Sequence, residues 1–498
     1  MNNAPFSFYW YDYETFGIDP ALDRPAQFAG LRTDAELNPI GEPLLIYNQL
    51  SDDYLPDPDA CLITGISPDT ISRQGLPERE FIAAIADELS QPGTCNVGYN
   101  NIRFDDEFTR HTLFRNFLDP YSHEWRNNNS RWDLLEIVRM ARALRPSGIE
   151  WPFQADEPTR PSNRLEDLTR VNGIEHSDAH DALADVHATI AIAKLIRQQQ
   201  PKLFDWALSK RKKDQCRELL LSQKSGIVVH ISGMIPSEHH HLTLITPLCQ
   251  HPTNSNGQIV FNLRFSPDEL IELANNGAEG IDQIRLRLFS KNQELPEGTN
   301  RLPLKTVHLN RAPVLAPLEV LGDSDVERLN LDKQACEKHY TTLAALSQKD
   351  KKQLDSAITM AFEGQSRDEP ENTDATLYSG AFFTADDKKK FDLIRQADAT
   401  ELGNIATVTK FNDARLDELL FRYRARQFPD SLDADDRKRW HKHCQLQLQN
   451  EQPGKRRSYP RSLDTFMTSL QSPEWMQPDR EQLRASLISY AERLISKG

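Results

Sequence analysis

The stretch FSFYWYDYETFG, Phe6 to Gly17, decides the fold. Read as a strand, its period of two sends Asp12 and Glu14 to one face and Tyr13 to the other, into a core. Two carboxylates side by side repel each other, so an apolar strand ending in such a pair calls for a cation. The pair is weak support by itself: with 74 Asp and Glu in 498 residues, about ten acid-x-acid pairs arise by chance. A metal site needs further ligands and a base elsewhere in the chain.

Outward from this strand, Ala26 to Thr33 and Pro43 to Asn48 read as two more strands, with turn residues Asn38, Pro39 and Gly41 between them. Pro56 to Pro58 and Thr64 to Pro68 read as loop. Glu78 to Ser90 has helical spacing, with Phe81, Ile82, Ile85 and Leu89 on one side. A short strand through Val97 and Tyr99, a turn at Asn100-Asn101 and a helix from about Phe104 follow. Helices are expected over Trp132 to Leu144, Leu165 to Val171 and Asp181 to Gln198. Strands mixed with helices in this order make residues 1–200 an α/β domain with a mixed sheet.

Pro201 marks a boundary. Short β-rich pieces follow over residues 201–350, at Gly226 to Ser232, His241 to Thr246, Gln258 to Phe265 and Leu304 to Leu309, as in a small barrel or sandwich. Residues 351–498 are helical by composition, with helices over Lys388 to Gln396, Asp413 to Arg426, Ser431 to Gln449 and Asp479 to Lys497. Gly364 to Asp374 and Asn450 to Arg461 read as exposed loops.

The formal net charge is −15, which counts against a nucleic-acid partner until its distribution is considered. Residues 1–200 hold 17 Lys and Arg against 32 Asp and Glu, which leaves 42 of each in residues 201–498. The acidic excess therefore belongs to the first region, where it suits cations, while local basic patches elsewhere remain able to follow a phosphate backbone. The six cysteines are far apart, form no C-x-x-C, and read as reduced thiols. The start of the chain lacks the basic and apolar regions of a signal peptide, and no stretch reaches eighteen apolar residues, so the chain reads as cytoplasmic with no membrane partner.

Asp105 is the first later candidate ligand, in the string NNIRFD just past a strand and turn. A plainer reading is that Asp105, Asp106 and Glu107 favour a helix N-terminus. The second is the string HDALAD, in which Ser177 or Asp178 caps a helix, His180 stands at its mouth and Asp185 lies about a turn farther in. His187, mid-helix, reads as packing or surface.

In order, Asp12-x-Glu14, Asp105 and His180-x-x-x-x-Asp185 resemble the DEDD exonuclease superfamily in its histidine-bearing (DEDDh) branch. The strings YDYETFG, ALDRPAQFA, LITGI, GYNNIRFDDE, NSRWDLLE, RLEDLT and NGIEHSDAHDALADVHATIA narrow the resemblance to the bacterial exonuclease I family. It continues more weakly at LKTVHL, Leu304 to Leu309, and LLFRYRARQFP, Leu419 to Pro429. The resemblance implies a ribonuclease H-like exonuclease domain, a Src-homology-3-like β-barrel domain and an all-α C-terminal domain that close a C-shaped channel. It also implies 3′ to 5′ degradation of single-stranded DNA to 5′-mononucleotides, in repair and recombination.

Two-metal-ion phosphodiester hydrolysis explains the residue types. Asp12 is expected to bridge two Mg ions, for which Mn can substitute, with Glu14 and Asp185 on one and Asp105 supporting the other directly or through water. His180, whose ordinary pKa is near neutrality, is the expected general base. Oxygen ligands without cysteine favour Mg or Mn over Zn.

By its match to the family motif, Arg164 is expected on a backbone phosphate, with a helix-surface charge as the alternative. Glu14, Arg110, Tyr121, Trp125 and Arg139 complete the expected substrate contacts, with Arg126 and Arg131 in the same Arg and aromatic mixture; Trp132 is assigned to the core. Arg422, Arg424 and Arg426 alternate along a helix, so at most two are expected to face a channel and the third to be solvated. Lys455 to Arg457 and His239 to His241 read as loop chemistry, a metal role for the histidines being the alternative. The resemblance further implies a partner, the acidic C-terminal tail of single-strand-binding protein, docked near Arg145 and Trp206, and the chain is expected to be a monomer. An RNA-trimming or proofreading relative would need far fewer residues, and a silent single-strand-binding scaffold would not need all five site residues.

Overall fold

The computed structural model describes residues 5–176, 181–363, 369–449 and 462–497. It divides into two compact units that do not follow chain order. The first takes Met1–Ser130, His176–Ile190 and Glu369–Gly498, the second Arg131–Glu175 and Ala191–Asp368.

In the first unit the aromatic run forms the central strand β1 (Ser7–Thr15). It pairs antiparallel with β2 (Pro25–Thr33), which pairs antiparallel with β3 (Pro39–Asn48), itself parallel to the two-residue β4 (Gly75–Leu76). On its other edge β1 runs parallel to β5 (Thr94–Gly98). The strands of this unit lie in the order β4-β3-β2-β1-β5, and a further strand, β6 (Ser130–Asp133), starts where the chain leaves the first unit. The period of two holds along β1. Tyr9, Tyr11 and Tyr13 join Phe28 and the apolar side of helix α3 (Glu78–Leu89), Phe81, Ile82 and Ile85, in one core. Tyr13 sits edge-to-face on Phe28 with ring centroids 4.9 Å apart, a geometry worth about 0.5–1.5 kcal/mol beyond burial.

The loops expected at Pro56 to Pro58 and Thr64 to Pro68 border two short helices that had no sequence expectation, α1 (Pro58–Thr64) and α2 (Pro68–Gln74), with residues 56–57 and 65–67 outside helix. Proline occupies the first turn of each, where its missing N–H costs nothing, and the Asp57 and Ser67 side chains cap the preceding ends. The turn after β5 uses Asn100 in the left-handed region, φ 70°, and leads into α4 (Asp105–Arg115). Gly98 is required there: a Cβ would lie 2.9 Å from the Tyr11 carbonyl oxygen.

The C-terminal segment of this unit is helical, over Ala385–Gln396, Ala399–Val408, Arg415–Gln427, Ala434–Gln449, Leu463–Ser469 and Glu481–Lys497. It shares cores with the first 130 residues: Phe114 and Phe117 pack with Phe391, Leu419 and Tyr423, and Phe16 and Tyr54 with Trp475, Leu487 and Tyr490. Two expectations are corrected here. Asp374, read as part of an exposed loop, is buried, and of the three arginines none is solvated: Arg422 and Arg424 are buried and the Arg426 side chain is 5% exposed. Arg426 Nη2 lies 2.6 Å from both Asp53 Oδ2 and Asp374 Oδ2, Arg422 pairs with Glu418 at 2.9 Å, and Arg424 with Asp436 at 3.0 Å. Lys455 to Arg457 lie outside the described residues.

The second unit opens in β6, where Trp132 is buried as expected and meets Phe204 edge-to-face at 5.1 Å. Asp133 caps helix α5 (Leu134–Leu144), so the helix starts two residues later than its expected Trp132. Helix α6 (Leu165–Val171) follows. Five strands, β7 (Val228–Ile231), β8 (Leu242–Gln250), β9 (Gly257–Asn262), β10 (Leu304–His308) and β11 (Val314–Pro317), form an antiparallel sheet of order β10-β9-β8-β7-β11. Its core of Val228, Ile245, Val260, Val307 and Leu315 takes Cys216, Leu219 and Leu220 from a preceding helix. No described helix is long and apolar enough to cross a membrane.

Candidate active site

Strand pairing explains why the acids of β1 are available. On the β5 side the register ends at Trp10 opposite Val97, so Asp12 to Glu14 run on past the last paired residue. The Tyr13 N–H, beyond that pairing, donates to Asp105 Oδ1 at 3.3 Å. Asp105 is the first residue of α4, and its neighbour Asp106 is used in the core, accepting from the Tyr11 hydroxyl and, at 3.3 Å, from Asn101. The structure thus separates the two consecutive acids, one toward the site and one into packing.

Asp185 arrives on helix α7 (Ala182–Gln199). The cap is Asp181, whose Oδ1 accepts from the N–H groups of Leu183 and Ala184, both at 3.1 Å. The expected caps Ser177 and Asp178 lie outside the described residues, as does His180. Gln27 Oε1 on β2 accepts from Ala182 N at 3.3 Å and ties the helix start to the sheet. His187 is exposed.

Asp12, Glu14 and Asp185 each present an oxygen within 4.8 Å of the others, the one group of metal-ligand type found among the described residues. Burial pushes the Asp12 carboxyl well above the usual carboxylate range, and Asp105, Glu14 and Asp185 push it further. Glu14 is pushed up to about 8 by burial, then by Asp185, Asp105 and Asp181. Crowded carboxylates hold their protons unless positive charge joins them. An all-oxygen set with this surplus of negative charge fits a hard divalent cation. Asp105 stands outside the tight trio, yet it exerts the largest charge effect on Asp12.

One site neighbour was missed in the sequence. His176 Nε2 lies 2.6 Å from Asp185 Oδ1, with the imidazole 4% exposed. The signal was present as a second histidine four residues before His180, but nothing in local spacing says which carboxylate it meets.

The expected substrate contacts divide. Arg110 is buried, bonded to Glu124 at 2.6 Å and Glu107 at 2.8 Å, so its charge is spent within the protein rather than offered to a phosphate. It supports an aromatic group instead, lying over the Tyr121 ring at 5.5 Å and donating to the Tyr378 hydroxyl at 3.1 Å. Phe382 meets Tyr121 edge-to-face at 5.9 Å and is 84% exposed. Trp125 is also exposed, with Arg126 over its ring at 5.8 Å. Tyr378 and Phe382 escaped the sequence reading because they lie more than 250 residues from Tyr121.

In the second unit Arg164 is exposed at the start of α6, and among the described residues its guanidinium makes no hydrogen bond or ion pair. Arg139 is half-buried and bonded to Glu136 at 2.8 Å. Arg131 is buried and donates to the Asn310 carbonyl at 2.8 Å. Arg145 is half-open, 3.5 Å from Asp325, and Trp206 is half-buried beneath Lys210. His241 is held by the Ile235 carbonyl at 2.8 Å, and the three histidines 239–241 belong to no metal-ligand group found among the described residues.

A carboxylate cluster at the open end of a central strand, in a mixed sheet flanked by helices, is a donor set suited to a hard divalent cation. The exonuclease family model matches residues 9–193, the exonuclease I SH3-like domain 211–362 and the exonuclease I C-terminal domain 371–494. Exodeoxyribonuclease I of Haemophilus influenzae is 44% identical over 89% of this chain and 91% of its own. A moderately thermophilic exonuclease I from Methylocaldum szegediense is 44% identical with a TM-score of 0.88, covering 98% of this chain and 100% of that one. The zinc-bound form of an Escherichia coli ExoI–ssDNA complex is 39% identical, TM-score 0.87, covering 99% and 100%. A structure of SSB and exonuclease I with an inhibitor is 38% identical, TM-score 0.85, covering 99% and 100%. The chain belongs to the exodeoxyribonuclease I family.

Proposed function

We propose that this chain degrades single-stranded DNA from its 3′ end to 5′-mononucleotides, and the observation that carries the reading is the trio Asp12, Glu14 and Asp185 beside Asp105. Family membership makes it an exodeoxyribonuclease, and the similar E. coli protein is seen with single-stranded DNA.

Asp12, Glu14 and Asp185 would hold one divalent ion, and Asp12 with Asp105 a second; Mg is the expected metal, with Mn as substitute. Bound there, the ions would supply an activated water and stabilise the leaving 3′ oxygen. His180 would take the proton of the attacking water. Arg164 would hold a backbone phosphate, since an exposed guanidinium with no acceptor among the described residues suits one. Tyr121, Phe382 and Trp125 would stack bases, each stack worth about 1–3 kcal/mol, with Arg110 fixing Tyr121 in place.

The division 1–200, 201–350 and 351–498 is part of the proposal, as are a monomeric state, a cytoplasmic location and work in repair and recombination. Docking of an acidic SSB tail at Arg145 and Trp206 is supported by the similar SSB-bound structure and by the basic and aromatic character of the two side chains.

The test offers 3′-labelled and 5′-labelled single-stranded DNA, duplex DNA and RNA, with Mg and with chelator. Immediate release only from the 3′-labelled single DNA strand, abolished by chelator, is expected. Immediate 5′ label release, or activity in chelator, overturns the reading.

A further inference from the structure

From the contact between His176 and Asp185 we infer that His176 is a positioning residue: its Nε2–H holds Asp185 in the orientation that binds the divalent cation. The inference rests on the metal-site reading above and adds to it a residue outside the five expected ones.

A carboxylate on a short side chain turns easily about its last bond, because that torsion is broad and two-fold. An aspartate that must present one oxygen to a cation therefore gains from having its rotation fixed, and metal ligands are commonly held by such outer partners. The 2.6 Å distance from Nε2 to Oδ1 is that of a short hydrogen bond. Exposures of 4% for the imidazole and 18% for the Asp185 side chain mean that little water competes for this bond. Its acceptor lies in the first turn of α7, which Asp181 and Gln27 hold against the sheet. The acceptor end of the contact is thereby restrained.

The choice of histidine also has a physical reason. Lysine or arginine here would bring a permanent positive charge to Asp185 and compete with the metal. An imidazole can orient the carboxylate without that permanent charge. The role requires only a proton on Nε2, which both the corresponding neutral tautomer and the imidazolium possess. His176 and His180, four residues apart, thus have separate tasks: one holds a ligand, the other serves the water.

The experiment compares the parent chain with His176→Ala and His176→Gln, the glutamine keeping an N–H donor of similar reach. Mn binding is measured calorimetrically without DNA, and nucleotide release is followed over a Mg titration. His176→Ala is expected to weaken Mn binding and raise the half-activating Mg concentration by about 10- to 100-fold, with a smaller loss of kcat at saturating Mg. His176→Gln is expected to recover most of both. Parent-like Mn affinity in His176→Ala overturns the proposal, as does a glutamine variant as weak as the alanine. If His176→Ala fails to fold, the glutamine variant decides: near-parent affinity supports the role and a loss as large as 100-fold overturns it. A parent chain that binds no Mn would instead remove the metal-site reading on which the inference stands.

Discussion

Two groups of acids in the first unit are chemically alike and physically opposite. Asp12 and Glu14 crowd with Asp105 and Asp185, and burial with mutual repulsion raises their proton affinity. Asp53 and Asp374 are also buried, but Arg426 reaches both, Arg24 and Arg422 reach Asp374, and His443 reaches Asp53. The arginines, with the His443 hydrogen bond to Asp53, outweigh burial and hold both carboxyls well below the usual range. Glu78, beside Arg115 and Arg24, is lowered for the same reason. Where the protein supplies the positive charge, buried acids build structure; where it leaves the charge to be supplied from outside, they build a site.

The sharpest way to break the comparison is Asp12→Ala. Loss of a ligand shared by the cluster should cost at least about 10³-fold in nucleotide release, several kcal/mol of charge stabilisation, while melting temperature and single-strand binding persist. Near-normal release would end the distinction. His180→Ala should cost roughly 10² to 10⁴ in kcat at saturating Mg; a rise in the half-activating Mg concentration with kcat intact would give His180 the ligand-holding task instead.

Arg426→Ala turns the compensated group into an uncompensated one. Removing one partner of a buried pair costs about 3–5 kcal/mol, against about 0–1 for an exposed pair, so denaturant unfolding should shift strongly while folded molecules keep their turnover. A shift below 1 kcal/mol would show the network to be dispensable.

The smallest effect is on pH dependence, and its sign differs between the groups. Asp53 and Asp374 have depressed folded values, so their contribution is complete above the ordinary value of 3.8 and is lost as pH falls through the lower folded value. Glu14 rises from 4.5 to about 8 on folding. In chelator the folded chain therefore keeps a proton that the unfolded chain releases, and stability declines as pH rises across that window. Thermal melts in chelator should show the decline, and saturating Mg or Glu14→Gln should flatten it. Equal slopes with and without Mg would contradict the assignment.

Much of the site was legible locally. The alternation along β1 placed Asp12 and Glu14 opposite Tyr13, and the helical spacing after Asp181 placed Asp185 near a helix start, because strand and helix periods act over a few residues. The loop readings stopped at Pro58 and Pro68, where two helices begin, since a proline reads as a breaker until the cap before it makes it the first residue of a helix. FRYRAR read as channel or surface because no local rule supplies three buried arginines with acids. Asp374 is 52 residues from Arg426 and 350 from Arg24.

What the sequence alone determined is the set of groups that short-range periodicity aligns: the β1 acids, the acidic first turn of α4, the placement of Asp185 on α7, and the family strings that run through them. Tertiary structure decided where charge is compensated. It sent Asp105 to the site and Asp106 to the core, gave Asp185 its contact with His176, spent Arg110 on two glutamates and buried Arg426 between two aspartates. The reason is that Coulomb energy and desolvation depend on distance through space and on burial, neither of which separation along the chain encodes.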